Sequence, residues 1–310
     1  MTPNHDRESR SFHQLRWDGR LADHVATLAG GWFAEDLGHE CDWTSVGLIP
    51  ATARAELDVV VRQEGVIAGI AAAAIVAATA GGGLVWQTVV ADGQPVGPGT
   101  VVARVSGPTR SILAAERVML NVLGRMSGVA TATRRLVDAV ADTGCRIYDT
   151  RKTVPGWRLL DKYAVRLGGG WNHRLGLHDA ILIKDNHRAA LAAEDVGPAE
   201  AVLRARAFVS KAFPPDRAEA MVVEIEIDSV DDLEAVLGAS PDVILLDNMG
   251  PEQLAEAVGI RNRAGSSTTL EASGGVRPET VEAIAKTGVD RISSGWPTHH
   301  APWLDIALDW

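Results

Sequence analysis

Cysteine is scarce in this chain, and the scarcity limits the kinds of site that it can hold. Cys41 and Cys145 are the only two among 310 residues. Two thiols so far apart in sequence support neither a disulfide framework nor a thiolate metal site, and such sparing use is typical of the reducing cytoplasm. We therefore expect a cytoplasmic protein without structural disulfides.

Long apolar runs are also missing. The first ten residues form a polar tail without the apolar core of a signal peptide. Residues 66–80 are apolar but rich in alanine, and the run is short for a bilayer span. We therefore predict a buried helix in this region, with no export and no membrane association.

Positive charge is in deficit overall, because 30 Lys and Arg face 40 Asp and Glu, giving a net charge of −10. Nucleic acids and anionic membranes need broad basic surfaces, so neither is expected as a partner. Residues 145–188 nevertheless hold nine Lys and Arg against four Asp, including three of the five lysines in the chain. A local basic cluster in an acidic chain indicates an anionic small molecule as the ligand.

The chain is longer than one average domain, and its patterning changes along its length. Up to about residue 110, helical patterning and strand-like runs at 57–64 and 87–90 predict a separate α/β domain. Apolar residues at helical spacing then predict a long helix over residues 111–140.

Beyond residue 145, short β-branched runs alternate with segments of helix length. The seven candidate strands are 146–149, 164–167, 180–184, 221–228, 243–247, 269–272 and 291–293. Such alternation implies parallel βαβ units, and seven or eight units usually close into a barrel. Active sites of barrels lie at the carboxyl ends of the strands, where residues distant in sequence converge.

Cationic side chains follow several of these candidate strands. They are Arg151, Lys152, His173, Arg174 and Lys184, joined by Arg117 from the preceding helix. Arginine pairs bidentately with carboxylate and phosphate groups, whereas lysine supplies a compact charge. The set therefore suits a ligand that carries several such groups. For Arg158, Lys162 and Arg166 we prefer a solvated face, or ion pairs with Asp161 and glutamates.

Two carboxylates, Glu226 and Asp247, end successive candidate strands. Glu224, Glu226 and Asp228 project from one side of their strand, toward the barrel interior or its mouth. Unpaired carboxylates are costly there, so cationic, metal or sugar hydroxyl partners are expected. A structural ion pair with Lys184 is the alternative, chiefly for Glu224. No His or Cys spacing supports a transition-metal site, and a carboxylate pair with a phosphorylated ligand suits Mg²⁺.

Glycine-containing turns follow the last two candidate strands, as Ser273-Gly274-Gly275 and Ser294-Gly295. Barrels often bind phosphate at these positions through backbone N–H groups, although such glycines also occur in plain turns. The histidines at positions 178, 187, 299 and 300 are assigned structural roles.

Several motifs lie in and around the basic cluster. They include Asp-Thr-Arg-Lys-Thr-Val-Pro-Gly-Trp at 149–157, Arg-Leu-Gly-Gly-Gly-Trp-Asn-His-Arg at 166–174, Ile-Leu-Ile-Lys-Asp-Asn-His at 181–187, Leu-Leu-Asp-Asn at 245–248 and Glu-Ala-Ser-Gly-Gly at 271–275. Together with Glu-Asp-Leu-Gly at 35–38 and Glu-Arg-Val-Met-Leu-Asn at 116–121, they resemble the quinolinate phosphoribosyltransferase family. The similarity covers nearly the whole chain.

The resemblance implies a Mg²⁺-dependent reaction of NAD biosynthesis. Quinolinate and phosphoribosyl pyrophosphate would give nicotinate mononucleotide, pyrophosphate and carbon dioxide. By motif, the two quinolinate carboxylates would be held by Arg151, His173, Arg174 and Lys184, with Arg117 contributed by the neighbouring subunit of a homodimer. Lys152 and Lys184 would face the sugar phosphates, and Glu226 and Asp247 the ribose hydroxyls and Mg²⁺. The 5-phosphate would lie on Ser273, Gly274, Gly275 and Gly295.

The fold implied by the resemblance is α/β, with an N-terminal α/β sandwich joined to an open seven-stranded, TIM-like α/β barrel. We place the sandwich domain at residues 1–116 and the barrel at 117–296, and expect the tail 297–310 to return to the first domain. One departure from the family pattern touches the site. Ser-Gly-Trp-Pro-Thr-His-His at 294–300 replaces a more usual Val-Gly-Ala-x-Thr-His but retains Gly295.

Two other functions fit parts of this pattern. A related phosphoribosyltransferase acting on another aromatic acid, such as nicotinate, would need fewer cations than are present. A non-catalytic sugar-phosphate binding protein would need neither Glu226 nor Asp247.

Overall fold

The structure is a computed structural model that describes residues 11–310. The polar tail predicted for the first ten residues lies outside the described residues.

The described helices and strands alternate along much of the chain. The helices are α1 (Gly19–Leu37), α2 (Trp43–Leu48), α3 (Ile70–Thr79), α4 (Thr109–Ala139), α5 (Arg158–Leu167), α6 (Asp185–Ala192), α7 (Pro198–Ala212), α8 (Pro215–Ala220), α9 (Leu233–Gly238), α10 (Pro251–Arg263), α11 (Val281–Ala285) and α12 (Trp296–His299). The strands are β1 (Arg54–Val61), β2 (Gly65–Val66), β3 (Val85–Thr88), β4 (Pro95–Val96), β5 (Val101–Pro108), β6 (Arg146–Tyr148), β7 (Ile181–Ile183), β8 (Val223–Ile227), β9 (Val243–Asp247), β10 (Thr269–Ser273), β11 (Arg291–Ser293) and β12 (Ile306–Asp309).

One compact unit comprises residues 15–134, 153–169 and 297–310. Its antiparallel sheet has the order β12-β1-β5-β3, so the last strand of the chain pairs with the first. The helix predicted within residues 66–80 is α3, which is buried through Ile70, Ala73 and Val76. The long helix predicted over residues 111–140 is α4. No helix in the described part of the chain is long and apolar enough to cross a membrane.

The other unit comprises residues 135–152 and 170–296, together with residues 11–14 of the described chain. Its sheet is parallel, with the order β6-β11-β10-β9-β8-β7. Ile225, Ile244, Leu270 and Ile292 lie on successive strands and are fully buried in one apolar cluster. The predicted α/β class and the parallel βαβ pattern are confirmed.

The strand predicted at residues 164–167 is wrong, since this segment is the end of α5. Leu160 and Ala164 lie four residues apart on the buried side of that helix, whereas the run contains only one β-branched residue, Val165. The described sheet therefore has six strands rather than seven. Beyond β6, Trp171 makes a single parallel bridge with Tyr148, where a seventh strand would lie.

The α5 segment excludes one of the two alternatives expected for Lys162, the solvated face, and leaves the other, an ion pair, untested. Lys162 is fully buried, so it does not lie on a solvated face. Its neighbour Asp161 is also fully buried and accepts from Arg125 at 3.0 Å. The helix is thus held to its unit by charged as well as apolar side chains.

The predicted domain boundary after residue 116 falls inside α4, and the division into compact units falls near the end of the same helix, after Arg134. The domain bounds therefore stay a prediction.

Candidate active site

A cavity of about 520 Å³ opens at the carboxyl ends of the parallel strands. The strands are parallel, so the residues that follow each of them lie at the same edge of the sheet. Side chains distant in sequence therefore meet there. Ten of the predicted site residues line it: Arg151, Lys152, His173, Arg174, Lys184, Glu226, Asp247, Ser273, Gly274 and Gly275. Among the described residues, Arg117 and Gly295 are not part of this lining.

Lys184 and Glu226 form an ion pair at the mouth of this cavity. Lys184 precedes α6, and its Nζ donates to Glu226 Oε2 at 2.8 Å. The Glu226 side chain is only 10% exposed, whereas that of Lys184 is 42% exposed. The ion pair with Lys184 that was considered as an alternative therefore forms, but with Glu226 and not with Glu224, which is fully buried beside His173 and Arg291.

Asp247 ends β9 near Glu226. Burial and the Glu226 charge raise the pKa of Asp247, while Lys184, Lys152 and a hydrogen bond from Asn248 act in the opposite direction. Two carboxylates this close to one another attract a cation. Mg²⁺ prefers oxygen ligands and is often held by one or two carboxylates together with substrate phosphates, so this pair fits the predicted ion.

The loop after β10 requires glycine at position 274. Gly274 has φ +94°, and a Cβ at this position would lie 2.1 Å from Asn248 Oδ1. Asn248 itself has φ 56°, donates its N–H to the Ser273 carbonyl at 2.8 Å and donates from Nδ2 to Asp247 at 2.6 Å. The glycine loop and the carboxylate are therefore held together by Asn248, which the sequence analysis did not single out.

His173, which lines the cavity, lies in a buried cluster of charges with Glu224, Glu271 and Arg291. His173 Nε2 lies 3.0 Å from Glu224 Oε2 and 3.5 Å from Glu271 Oε1, and Arg291 donates to Glu271. Burial by itself would lower the pKa of His173, but the two carboxylates outweigh it and raise that pKa to about 9. Burial would raise the pKa of Glu271, yet Arg291 and His173 lower it to about 2.

The oxygen and nitrogen atoms of His173, Glu224 and Glu271 lie within 4.8 Å of one another, which is close enough for metal ligands. All three side chains are buried, however, and the Arg291 guanidinium already occupies their carboxylate side. We therefore interpret the cluster as ion pairs. Sequence reasoning missed Glu271 and Arg291. A signal existed for Glu271, which is a charged residue between the apolar Leu270 and Ala272 of a buried strand.

The backbone at His173 and Arg174 is fixed by hydrogen bonds. Asp149 Oδ1 accepts from the His173 N–H at 2.9 Å, and His173 Nδ1 accepts from the Arg174 N–H at 2.8 Å. A proton on Nδ1 would remove the second bond and leave the Arg174 N–H facing another donor, which opposes the rise in the pKa of His173 that the two carboxylates cause.

Arg174 is prepared for an anion. Its Nη1 donates to the Ala180 carbonyl at 3.3 Å, while its buried Nε has no hydrogen-bond partner among the described residues. Burial and the neighbouring Arg151 lower the pKa of Arg174. A carboxylate in the cavity would reduce the repulsion between the two guanidinium groups.

The remaining predicted residues lie elsewhere. Arg117 is exposed on α4 in the other unit, where it lines a separate cavity of about 340 Å³. Gly295 follows β11, next to Ser294, whose hydroxyl donates to the Val276 carbonyl at 3.2 Å. His187 Nδ1 accepts from the Lys184 N–H at 3.0 Å, which is a structural role. The rings of His299 and His300 are 4.2 Å apart at an exposed position.

Comparison with known proteins shows to which family the chain belongs. Residues 42–127 match the model of the quinolinate phosphoribosyl transferase N-terminal domain, and residues 129–309 match that of its C-terminal domain. A nicotinate-nucleotide pyrophosphorylase (carboxylating) of Mycobacterium leprae is 42% identical over 277 residues, which cover 89% of this chain and 93% of the relative. A probable nicotinate-nucleotide pyrophosphorylase (carboxylating) of Synechocystis sp. is 40% identical over 277 residues, or 89% of both chains.

Solved structures agree. The nicotinate-nucleotide pyrophosphorylase from Francisella tularensis superposes with a TM-score of 0.86 at 35% identity, covering 96% of this chain and 99% of that one. Because both family models match and the relatives are similar over most of their length, the chain belongs to the quinolinate phosphoribosyltransferase family.

Proposed function

We propose that this chain is an enzyme that transfers the phosphoribosyl group of phosphoribosyl pyrophosphate to quinolinate with decarboxylation. The products are nicotinate mononucleotide, pyrophosphate and carbon dioxide, in the de novo biosynthesis of NAD. One observation carries the proposal. A single cavity combines a group of cations, a pair of carboxylates and a glycine loop, which matches an aromatic dicarboxylate beside a sugar phosphate.

Quinolinate binds at the cationic end. Arg151, Arg174 and Lys184 pair with its two carboxylates, and His173 lies beneath them. The neighbouring guanidinium groups of Arg151 and Arg174, both in the lining of the cavity, support an anion at this end. Nicotinate has only one carboxylate and would leave part of this charge without a partner, so the site favours the dicarboxylate.

Phosphoribosyl pyrophosphate binds at the opposite end. Its 5-phosphate lies on the backbone of Ser273, Gly274 and Gly275, with Gly295 nearby, and Lys152 and Lys184 face its phosphates. Glu226 and Asp247 bind the ribose hydroxyls and the Mg²⁺. When bound, this ion neutralises charge that develops on the leaving pyrophosphate.

The reaction needs no side-chain nucleophile. The pyridine nitrogen forms a bond to C1 of the ribose as the bond from C1 to the pyrophosphate oxygen breaks. Glu226 and Asp247 stabilise the positive charge that develops on the sugar. The bond from C2 to its carboxylate then breaks, carbon dioxide leaves, and the electron pair on C2 is stabilised by the quaternised nitrogen before a proton replaces the lost group. The protein orients the two substrates and supplies the electrostatic field that stabilises the developing charges.

The active form is a homodimer in which Arg117 of each subunit completes the quinolinate end of the other. Two observations support this. Arg117 is exposed, and the cavity that it lines also contains Trp303 and Val154, which are 50% and 46% exposed. Apolar side chains exposed beside a functional cation are typical of an interface.

Turnover with alternative acids tests the substrate assignment. The purified protein is incubated with phosphoribosyl pyrophosphate, Mg²⁺ and either quinolinate or nicotinate, and nucleotide products are separated by chromatography. Product from quinolinate alone is expected. Product from nicotinate alone would transfer the assignment to a related enzyme, and product from neither would indicate a binding protein.

A further inference from the structure

The segment before the first helix forms the floor of the barrel. Phe12 is 3% exposed and packs with Tyr148, Ala180, Val222 and Val243. Ala180, Val222 and Val243 stand immediately before or at the start of β7, β8 and β9, so Phe12 closes the amino end of the sheet, opposite the cavity. The floor is therefore built by a residue far from the barrel in sequence.

Phe12 also contacts the charged cluster around His173. Its ring stacks on the His173 imidazole with centroids 4.2 Å apart and an interplanar angle of 28°. The Arg291 guanidinium lies 4.9 Å from the Phe12 ring centroid on the same floor. An aromatic face next to two cationic groups is attractive, and it also excludes water from the ion pairs above it.

Two residues later, Gln14 binds the backbone of Asn172 in a bidentate manner. Its Nε2 donates to the Asn172 carbonyl at 2.9 Å, and its Oε1 accepts from the Asn172 N–H at 2.7 Å. Asn172 donates from Nδ2 to Asp149 Oδ2 at 2.6 Å, and Asp149 Oδ1 accepts from the His173 N–H. A continuous chain of hydrogen bonds thus runs from Gln14 to the backbone of His173, through two fully buried polar residues.

We propose that Phe12 and Gln14 are positioning residues that set the affinity of the site for the aromatic dicarboxylate. Phe12 fixes the plane of the His173 ring, and Gln14 fixes the peptide that carries His173 and Arg174. The identity of the ligand rests on the proposed function. Asp247 and the glycine loop of the sugar-phosphate end are held by separate contacts, through Asn248. Substitution of Phe12 or Gln14 is therefore expected to change the affinity for quinolinate and not that for phosphoribosyl pyrophosphate.

The test compares Gln14→Ala and Phe12→Ala with His13→Ala, which removes the exposed side chain between them. Quinolinate binding is measured by calorimetry, and KM is measured for both substrates. In the first two variants quinolinate affinity falls about tenfold or more, because buried partners lose their hydrogen bonds or stacking, while KM for phosphoribosyl pyrophosphate changes less than about twofold. Gln14→Glu keeps the acceptor for the Asn172 N–H and gives an intermediate affinity. His13→Ala resembles the unmodified protein.

A lower melting temperature of Gln14→Ala and Phe12→Ala, with unchanged KM values for both substrates, would overturn the proposal. A purely structural role reduces the amount of active protein and not its affinity for quinolinate. A readout independent of turnover separates this result from failure of the proposed function. The unmodified protein and His173→Asn are both labelled with ¹⁵N-histidine. The ring resonances that are present in the first and absent from the second belong to His173. They shift in Gln14→Ala and Phe12→Ala and stay in place in His13→Ala. Unshifted resonances would contradict the positioning role even if the unmodified protein did not act on quinolinate.

Discussion

Lys184 Nζ donates to Glu226 Oε2 at 2.8 Å, and this contact joins the two ends of the cavity. Lys184 is proposed to contact both the quinolinate carboxylates and the sugar phosphates, whereas Glu226 belongs to the carboxylate pair proposed for the ribose. A residue that can contact both substrates is thus paired with one that contacts the sugar. We infer that each positions the other, as is expected of a preorganised site.

Glu226→Gln tests the electrostatic role of this carboxylate. The amide keeps the shape but removes the charge, so kcat is expected to fall by about 10²–10³ because the positive sugar loses its stabilising partner. Steady-state kinetics and urea unfolding are measured together. Glu282→Gln is the matched control, since it breaks the ion pair between the exposed side chains of Glu282 and Lys286. Equal activity in the two variants would contradict the role of Glu226.

Gly274→Ala tests the phosphate loop. The added Cβ collides with Asn248, and the φ of +94° is unfavourable for alanine, so the loop and Asn248 must move. We expect KM for phosphoribosyl pyrophosphate to rise about tenfold or more, with a smaller change for quinolinate. Gly97→Ala is the control, because a Cβ there meets nothing within 4 Å. Unchanged KM values in Gly274→Ala would show that the phosphate lies elsewhere.

His173 is expected to make stability depend on pH. Its pKa in the folded protein is about 9, above the ordinary value of 6.5. Because the folded state binds this proton more tightly, its contribution is fully present below pH 6.5 and is lost as the pH rises toward 9. The free energy of unfolding of the unmodified protein should therefore fall over that interval relative to His173→Asn. Parallel curves for the two proteins would mean that His173 is not protonated in the folded state.

Mixing two inactive variants tests the shared site. Arg117→Ala and Lys152→Ala should each lose turnover while unfolding like the unmodified protein. If Arg117 acts across a homodimer, dissociating and reassociating the mixture gives mixed dimers with one intact site, and about a quarter of the original activity returns. Sedimentation checks that dimers form. No recovery from a dimeric mixture would place Arg117 outside its partner's site, and full turnover by Lys152→Ala alone would contradict the assignment of that lysine.

The residues at the strand ends could be predicted from the sequence because their position follows from topology. Parallel strands present their carboxyl ends at one edge of the sheet, so Lys184, Glu226, Asp247 and Ser273 must converge once the strands are recognised. A single short apolar run, by contrast, does not distinguish a strand from a buried helix. This ambiguity explains the incorrect strand at residues 164–167.

The contacts around His173 could not be predicted, because they join residues that are distant in sequence and share no local sequence pattern. Glu271 pairs with Arg291 only through the register of β10 and β11. Gln14 and Asn172 are 158 residues apart in sequence, and no periodicity links them. The sequence predicts ten residues that line the cavity, whereas these contacts become visible only when the chain is folded.

The most direct test of the account is the stoichiometry of a single reaction. Quinolinate labelled with ¹⁴C in its 2-carboxylate is supplied with phosphoribosyl pyrophosphate and Mg²⁺, and carbon dioxide and nicotinate mononucleotide are measured together. We expect equal amounts of both products, and no carbon dioxide when phosphoribosyl pyrophosphate is omitted. Carbon dioxide released without phosphoribosyl pyrophosphate would contradict decarboxylation after ribosyl transfer, and the absence of both products would contradict the proposed activity itself.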